Sequence, residues 1–118
     1  MIPLLRVVFE QISKSREKMI EMLKVVQKSD SLKSENPRDN LREMQTLILG
    51  IKGSGELGHL FFLTTELIDQ RNILIPIKNY FDCFHNDLDY EKLSYEKAKD
   101  LFTKRKSDLE KIIEILGN

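Results

Sequence analysis

A chain of 118 residues has room for one domain with a single core, so residues 1–118 are expected to fold as one unit. Nineteen Lys and Arg balance nineteen Asp and Glu, and the composition is 41% hydrophobic and 32% charged. Those values are globular; they exclude collagen-like, disordered and membrane-embedded chains, and the missing basic surplus argues against a nucleic-acid module. No run approaches the roughly eighteen apolar residues of a membrane helix. The opening stretch lacks a basic n-region and Glu10 interrupts it, so no secretory leader is expected. Cys83 is the one cysteine, which rules out an internal disulfide and makes a reduced, cytoplasmic location the expectation.

Hydrophobic periodicity predicts helices throughout. Leu5, Phe9, Ile12, Met19, Leu23 and Val26 recur at three- and four-residue spacing, which predicts a long amphipathic helix from residue 3 to about 28, with Arg16 as the polar interruption of its stripe. Pro3 suits a first helical turn. Lys28 to Asn36 is a polar connector. Asn36-Pro37 then starts a second helix: Asn36 caps, Pro37 fills the next position, and Asp39 places an acid in the positive first turn. Leu41, Met44, Ile48 and Ile51 form its inward stripe. A third helix is expected from about Glu56 to Gln70, with Leu57, Leu60, Phe61, Leu67 and Ile68 inward, ending before Pro76, which is costly inside a helix. A shorter segment follows from about Pro76 to Phe84, preceded by the run Ile73-Leu74-Ile75, which fits a strand or a helix entry. His85 to Asp89 reads as a turn, and a last helix runs from about Tyr90 to Leu116, stopped by Gly117. The fold class expected is all-α: an up-and-down bundle of four main helices plus a shorter helical segment.

Four of the chain's five glycines fall between Gly50 and Gly58. Gly53-Ser54-Gly55-Glu56-Leu57-Gly58 matches G-x-G-x-x-G, the fingerprint in which glycines bring backbone N–H groups to a pyrophosphate at a helix N-terminus. That reading needs strands at about Thr46–Ile51 and Ile73–Ile77, and an acid about twenty residues on, where Lys78 and Asn79 stand. Gly50-Ile51-Lys52-Gly53 matches the G-x-x-G of a single-strand-binding loop, which also needs flanking strands.

Ile51-Lys52-Gly53-Ser54 followed by Gly58 also resembles the signature of histidine-containing phosphotransfer domains, roughly H-x-L-K-G-S with a further glycine leading into the next helix. Leu4 to Val26 is similar to that family's first long helix, and Leu57 to Ile68 to the helix after its motif. The resemblance covers about residues 4–85. The family's phosphorylated histidine falls on Leu49, and the distance from Lys52 to Gly58 is one residue shorter than usual. The resemblance therefore implies a pseudo-phosphotransfer module that docks a receiver domain or a histidine kinase and carries no phosphoryl group.

Helix geometry suggests the docking surface. Leu49 sits about 100° around from the inward Ile48, and Arg42, Gln45, Lys52 and Gly53 lie seven, four, three and four residues from it. Arg42, Gln45, Leu49, Lys52 and Gly53, with Glu56 just beyond, form the candidate partner-binding set: an apolar anchor, a polar rim and a glycine that permits close approach. The alternative is that Leu49 widens the core stripe and the glycines only let two helices pack and turn.

Other residues point to structure. His59 and His85 are 26 positions apart and no metal-ligand cluster is evident. His85 to Asp89 lacks the remaining ligands of a calcium loop. Cys83 reads as a small buried side chain, Lys104-Arg105-Lys106 as a solvated face, and Met19, Met22 and Met44 as core filler. The expectation is a non-enzymatic protein–protein interaction module with no cofactor and no metal, whose partner is another protein and not a nucleic acid or a membrane. The apolar edge of the first helix also allows homo-oligomers. The alternatives are a helical immunity, antitoxin or inhibitor protein, and a nucleotide-binding protein using residues 53–58.

Overall fold

The computed structural model describes the backbone of residues 2–64 and 68–118 and the side chains of residues 6–64 and 72–118. The described residues form five α-helices, α1 (Ile2–Gln27), α2 (Pro37–Gly53), α3 (Glu56–Thr64), α4 (Ile68–Asp82) and α5 (Tyr95–Gly117), with single 3₁₀ turns at Asp30–Leu32, between α1 and α2, and at Tyr90–Lys92, between α4 and α5. There is no strand among the described residues, and none of their helices is long and apolar enough to cross a membrane. The fold is an all-α bundle.

The direction of each helix follows from the contacts at its ends. Arg38, at the start of α2, donates from Nε to the Leu93 carbonyl just before α5 at 2.8 Å, so α2 and α5 start together. Arg16 of α1 reaches the last carbonyls of α5, so α1 runs against α5. Lys18 of α1 pairs at 2.7 Å with Glu56, the first residue of α3, and α3 continues along α1 in the direction of α2. Lys52, near the end of α2, meets the carbonyls of Phe81 and Phe84, so α4 runs back toward α2. The result is α1 up, α2 and α3 down as one broken arm, α4 up and α5 down. The molecule measures 56 × 23 × 22 Å. At 1.5 Å per residue α1 spans only about 39 Å, so the helices are staggered along the long axis.

Local chemistry sets the boundaries. Asn36 Oδ1 accepts from the Arg38 N–H at 3.0 Å, with Pro37 in the first turn, as the sequence predicts. In the connector before it, Leu32 is buried in its 3₁₀ turn, and the buried Asn40 amide exchanges bonds of 3.0 and 2.8 Å with the Ser34 backbone. The arm breaks after Gly53. Ser54 Oγ donates to the Ile51 carbonyl at 2.6 Å and accepts from the Glu56 N–H at 3.3 Å, and Gly55 has φ +84°, a conformation glycine adopts without steric cost.

The core is one cluster to which all five helices contribute. Met19, Leu23, Leu41, Met44, Ile48, Ile77 and Phe84 are fully buried. The Tyr80 ring packs edge-on against Phe81 and Phe84, with centroids 5.9 and 5.2 Å apart.

Three expectations are corrected. Phe9 is 49% exposed, because α5 ends near Arg16 and the first turns of α1 pass beyond it. The expected inward roles of Leu5, Leu67 and Ile68 lie outside the described side chains. Pro76 sits inside α4, and Ile73-Leu74-Ile75 is helical. The proline is on the outer face, where water can satisfy the Asn72 carbonyl that it leaves without a helical donor. The last helix begins at Tyr95, not Tyr90. Asp89 caps only the 3₁₀ turn, Leu93 is extended, and Ser94 Oγ caps α5 by accepting from the Lys97 N–H at 3.2 Å.

Candidate docking face

One side of α2 turns to the core through Leu41, Met44, Ile48 and Ile51, all buried. The residues singled out from the sequence lie next to that stripe and face two environments. Arg38, Gln45 and Lys52 recur every seven residues, on a line beside the buried stripe. Lys52 is half-buried, and its Nζ donates to the carbonyls of Phe84 at 3.0 Å and Phe81 at 3.3 Å. A cation there meets the negative end of the α4 dipole, shares the Phe81 carbonyl with the Phe84 N–H and gives the Phe84 carbonyl a donor. Gln45 is half-buried, and its Oε1 is buried without a hydrogen-bond partner among the described residues. Arg42 is exposed and pairs with Asp39 on its own helix and with Glu91 in the α4–α5 connector. Arg38, Arg42 and Lys52 tie α2 to the segment from Phe81 to Leu93.

Further round the helix the surface opens. Leu49 is half-buried, packed against the edge of the core. Thr46, Gly50 and Gly53 beside it are exposed. A β-carbon built on Gly50, Gly53 or Gly58 would meet nothing within 4 Å. The absent side chains of these three glycines therefore serve no internal helix packing. Only Gly55 has an internal use, the turn.

The structure gathers Arg42, Gln45, Leu49, Lys52 and Gly53 on adjoining flanks of α2. It does not bring Glu56 to them: its carboxylate turns to Lys18 of α1, which raises the Lys18 pKa through the shared hydrogen bond and the opposite charge. The sequence reading missed how much of this flank the chain itself covers, through Arg38, Glu91 and Leu93. The seven-residue spacing of Arg38, Gln45 and Lys52 was the available signal. It also missed Phe62, 76% exposed on the same face of α3 as Gly58.

The two strands that a dinucleotide fold needs around the glycines are helical here, in α2 and α4. The literal G-x-G-x-x-G is the α2–α3 break followed by the first turn of α3. Comparison with protein-family models, with curated proteins and with solved structures finds no match.

Proposed function

We propose that the chain is a non-enzymatic interaction module that docks another protein, a receiver domain or a histidine kinase, through the α2 surface around Leu49, Gly50 and Gly53. The observation that carries this reading is the bare backbone at Gly50 and Gly58. Glycine inside a helix costs about 1 kcal/mol relative to alanine, and neither position has a neighbour that would exclude a methyl group. A surface of this kind lets a partner's helix or loop approach the backbone closely, with Leu49 as apolar anchor and Arg42 at the rim. Lys52 then acts from beneath, holding α2 against the end of α4, and Glu56 holds α3 to α1. Leu49 stands where the resembled family has its histidine, so the surface binds without transferring a phosphoryl group.

The test is an NMR titration of the labelled chain with receiver domains and kinase dimerisation domains from its own source. Shift changes confined to Thr46–Gly58, and a loss of about tenfold or more in affinity for Leu49→Glu and Gly50→Arg, support the reading. Binding that ignores both substitutions rejects the surface. Binding at this surface by a protein of another class, such as a toxin, keeps the surface and replaces the partner, in favour of an immunity or inhibitor protein.

A further inference from the structure

An open groove of about 380 Å³ runs between α4 and α5. Tyr80 and Ile112, each nearly buried, form its floor. The α4 wall is uncharged and includes Pro76, Asn79 and Cys83, whereas the α5 wall carries Lys104, Arg105, Asp108 and Lys111. Arg105 pairs with Asp108 at 3.6 Å. Lys104 and Lys111 are exposed and form no ion pair among the described residues. They are seven residues apart, so they lie on one line of α5 about 10.5 Å from each other.

We propose that this groove docks an amphipathic helix of a partner protein, with the partner's apolar stripe on the floor and two acidic residues two turns apart facing Lys104 and Lys111. The groove is too open to enclose most of a small ligand's surface, as small-molecule sites do. A helix laid between two helices is a recurring mode of peptide recognition, with anchors at i, i+3, i+4 and i+7. Its own repeat reproduces the two-turn spacing of the lysines; a single small anion would leave one of them bare. Because only the α5 wall is charged, the pairing also fixes which flank of the incoming helix faces α5. The groove is separate from the α2 surface, and neither reading depends on the other.

Cys83 supplies the readout. It is the chain's one thiol, half-buried in the groove wall, with Sγ donating to the Asn79 carbonyl at 3.3 Å. The experiment pans the full chain against a displayed library of amphipathic helices with fixed leucines at i, i+3, i+4 and i+7 and randomised flanks. Selected helices are expected to carry Asp or Glu two turns apart on one flank and to slow the reaction of Cys83 with an aromatic disulfide. Lys104→Glu with Lys111→Glu should weaken them about tenfold or more, and lysine substitution of the selected acids should restore binding to that double variant. Both lysines are exposed, and unchanged circular dichroism verifies that the variant is folded. The proposal is overturned if no selected helix protects Cys83, if acids are not enriched, or if the charge reversal leaves affinity unchanged. Laurate protecting Cys83 as well as the helices do would also overturn it, by assigning the groove to a small anionic amphiphile.

Discussion

Arg16 Nε donates to the carbonyl oxygen of Leu116 at 3.1 Å, so a residue of the first helix caps the last one. Its Nη2 reaches the Ile115 and Asn118 carbonyls, each at 3.2 Å. The guanidinium fork supplies donors to the Leu116 and Asn118 carbonyls and shares the Ile115 carbonyl with the Asn118 N–H, and its charge faces the negative end of that helix dipole. From the sequence Arg16 is a defect in an apolar stripe. In the fold it fixes where α5 ends along α1.

Replacing Arg16 by leucine should therefore destabilise the chain even though it completes the stripe. Charged hydrogen bonds contribute about 1.5–3 kcal/mol each, and partial exposure of this group brings the expected total loss to about 1–2 kcal/mol. Lysine should recover only part, since it keeps the charge and loses the fork. Urea unfolding of the three proteins measures both. Equal stability of wild type and Arg16→Leu would show that the carbonyls are satisfied equally well by water.

The glycines should separate by sign. Gly50→Ala and Gly58→Ala meet open space in helices, so each is expected to stabilise by about 0.5–1 kcal/mol. Gly55→Ala meets equally open space but at φ +84°, and should destabilise by about 1 kcal/mol or more. Thermal melts of the three variants read the signs directly. A variant at Gly50 that melts higher and binds its partner less well would tie that residue to docking, while a destabilised one would show that the helix is not built as described.

Alkaline pH should weaken the fold through Tyr80. Burial raises its pKa above the usual value of 10.0, and burial acts in the same direction on Tyr90. Above about pH 10 an unfolded tyrosine releases its proton while the buried one keeps it, so the native state binds more protons and stability falls as pH rises. The contribution is complete below that pH. Urea unfolding at about pH 8 and about pH 11 should show the loss, and Tyr80→Phe should reduce it, leaving the Tyr90 part. Identical pH dependence in the variant would mean that Tyr80 ionises in the native state as freely as in the unfolded one.

Part of the candidate site was legible in α2. Periodicity placed Leu41, Met44, Ile48 and Ile51 inward, and simple rotation put Leu49 at the edge with Gly53 on its face. Rotation about one helix says nothing about what stands opposite each flank. Lys52 looked like the rim of a docking surface. It caps α4 instead, because a segment about thirty residues further along returns to it.

The sequence alone determined the all-α class, the Asn36-Pro37 start of α2, the helix break at the glycines and most of the buried stripe, but not the bounds of α3 and α4, because the former follow from backbone geometry and side-chain periodicity within a few turns. Tertiary structure decided the rest. Pro76 stays inside α4 because solvent lies on that face, α5 waits for Ser94 although Asp89 offers an earlier cap, and Phe9 is exposed because α5 stops short of it. The exposure of Phe9 depends on where a helix distant in the chain ends, and local propensity carries no record of that distance.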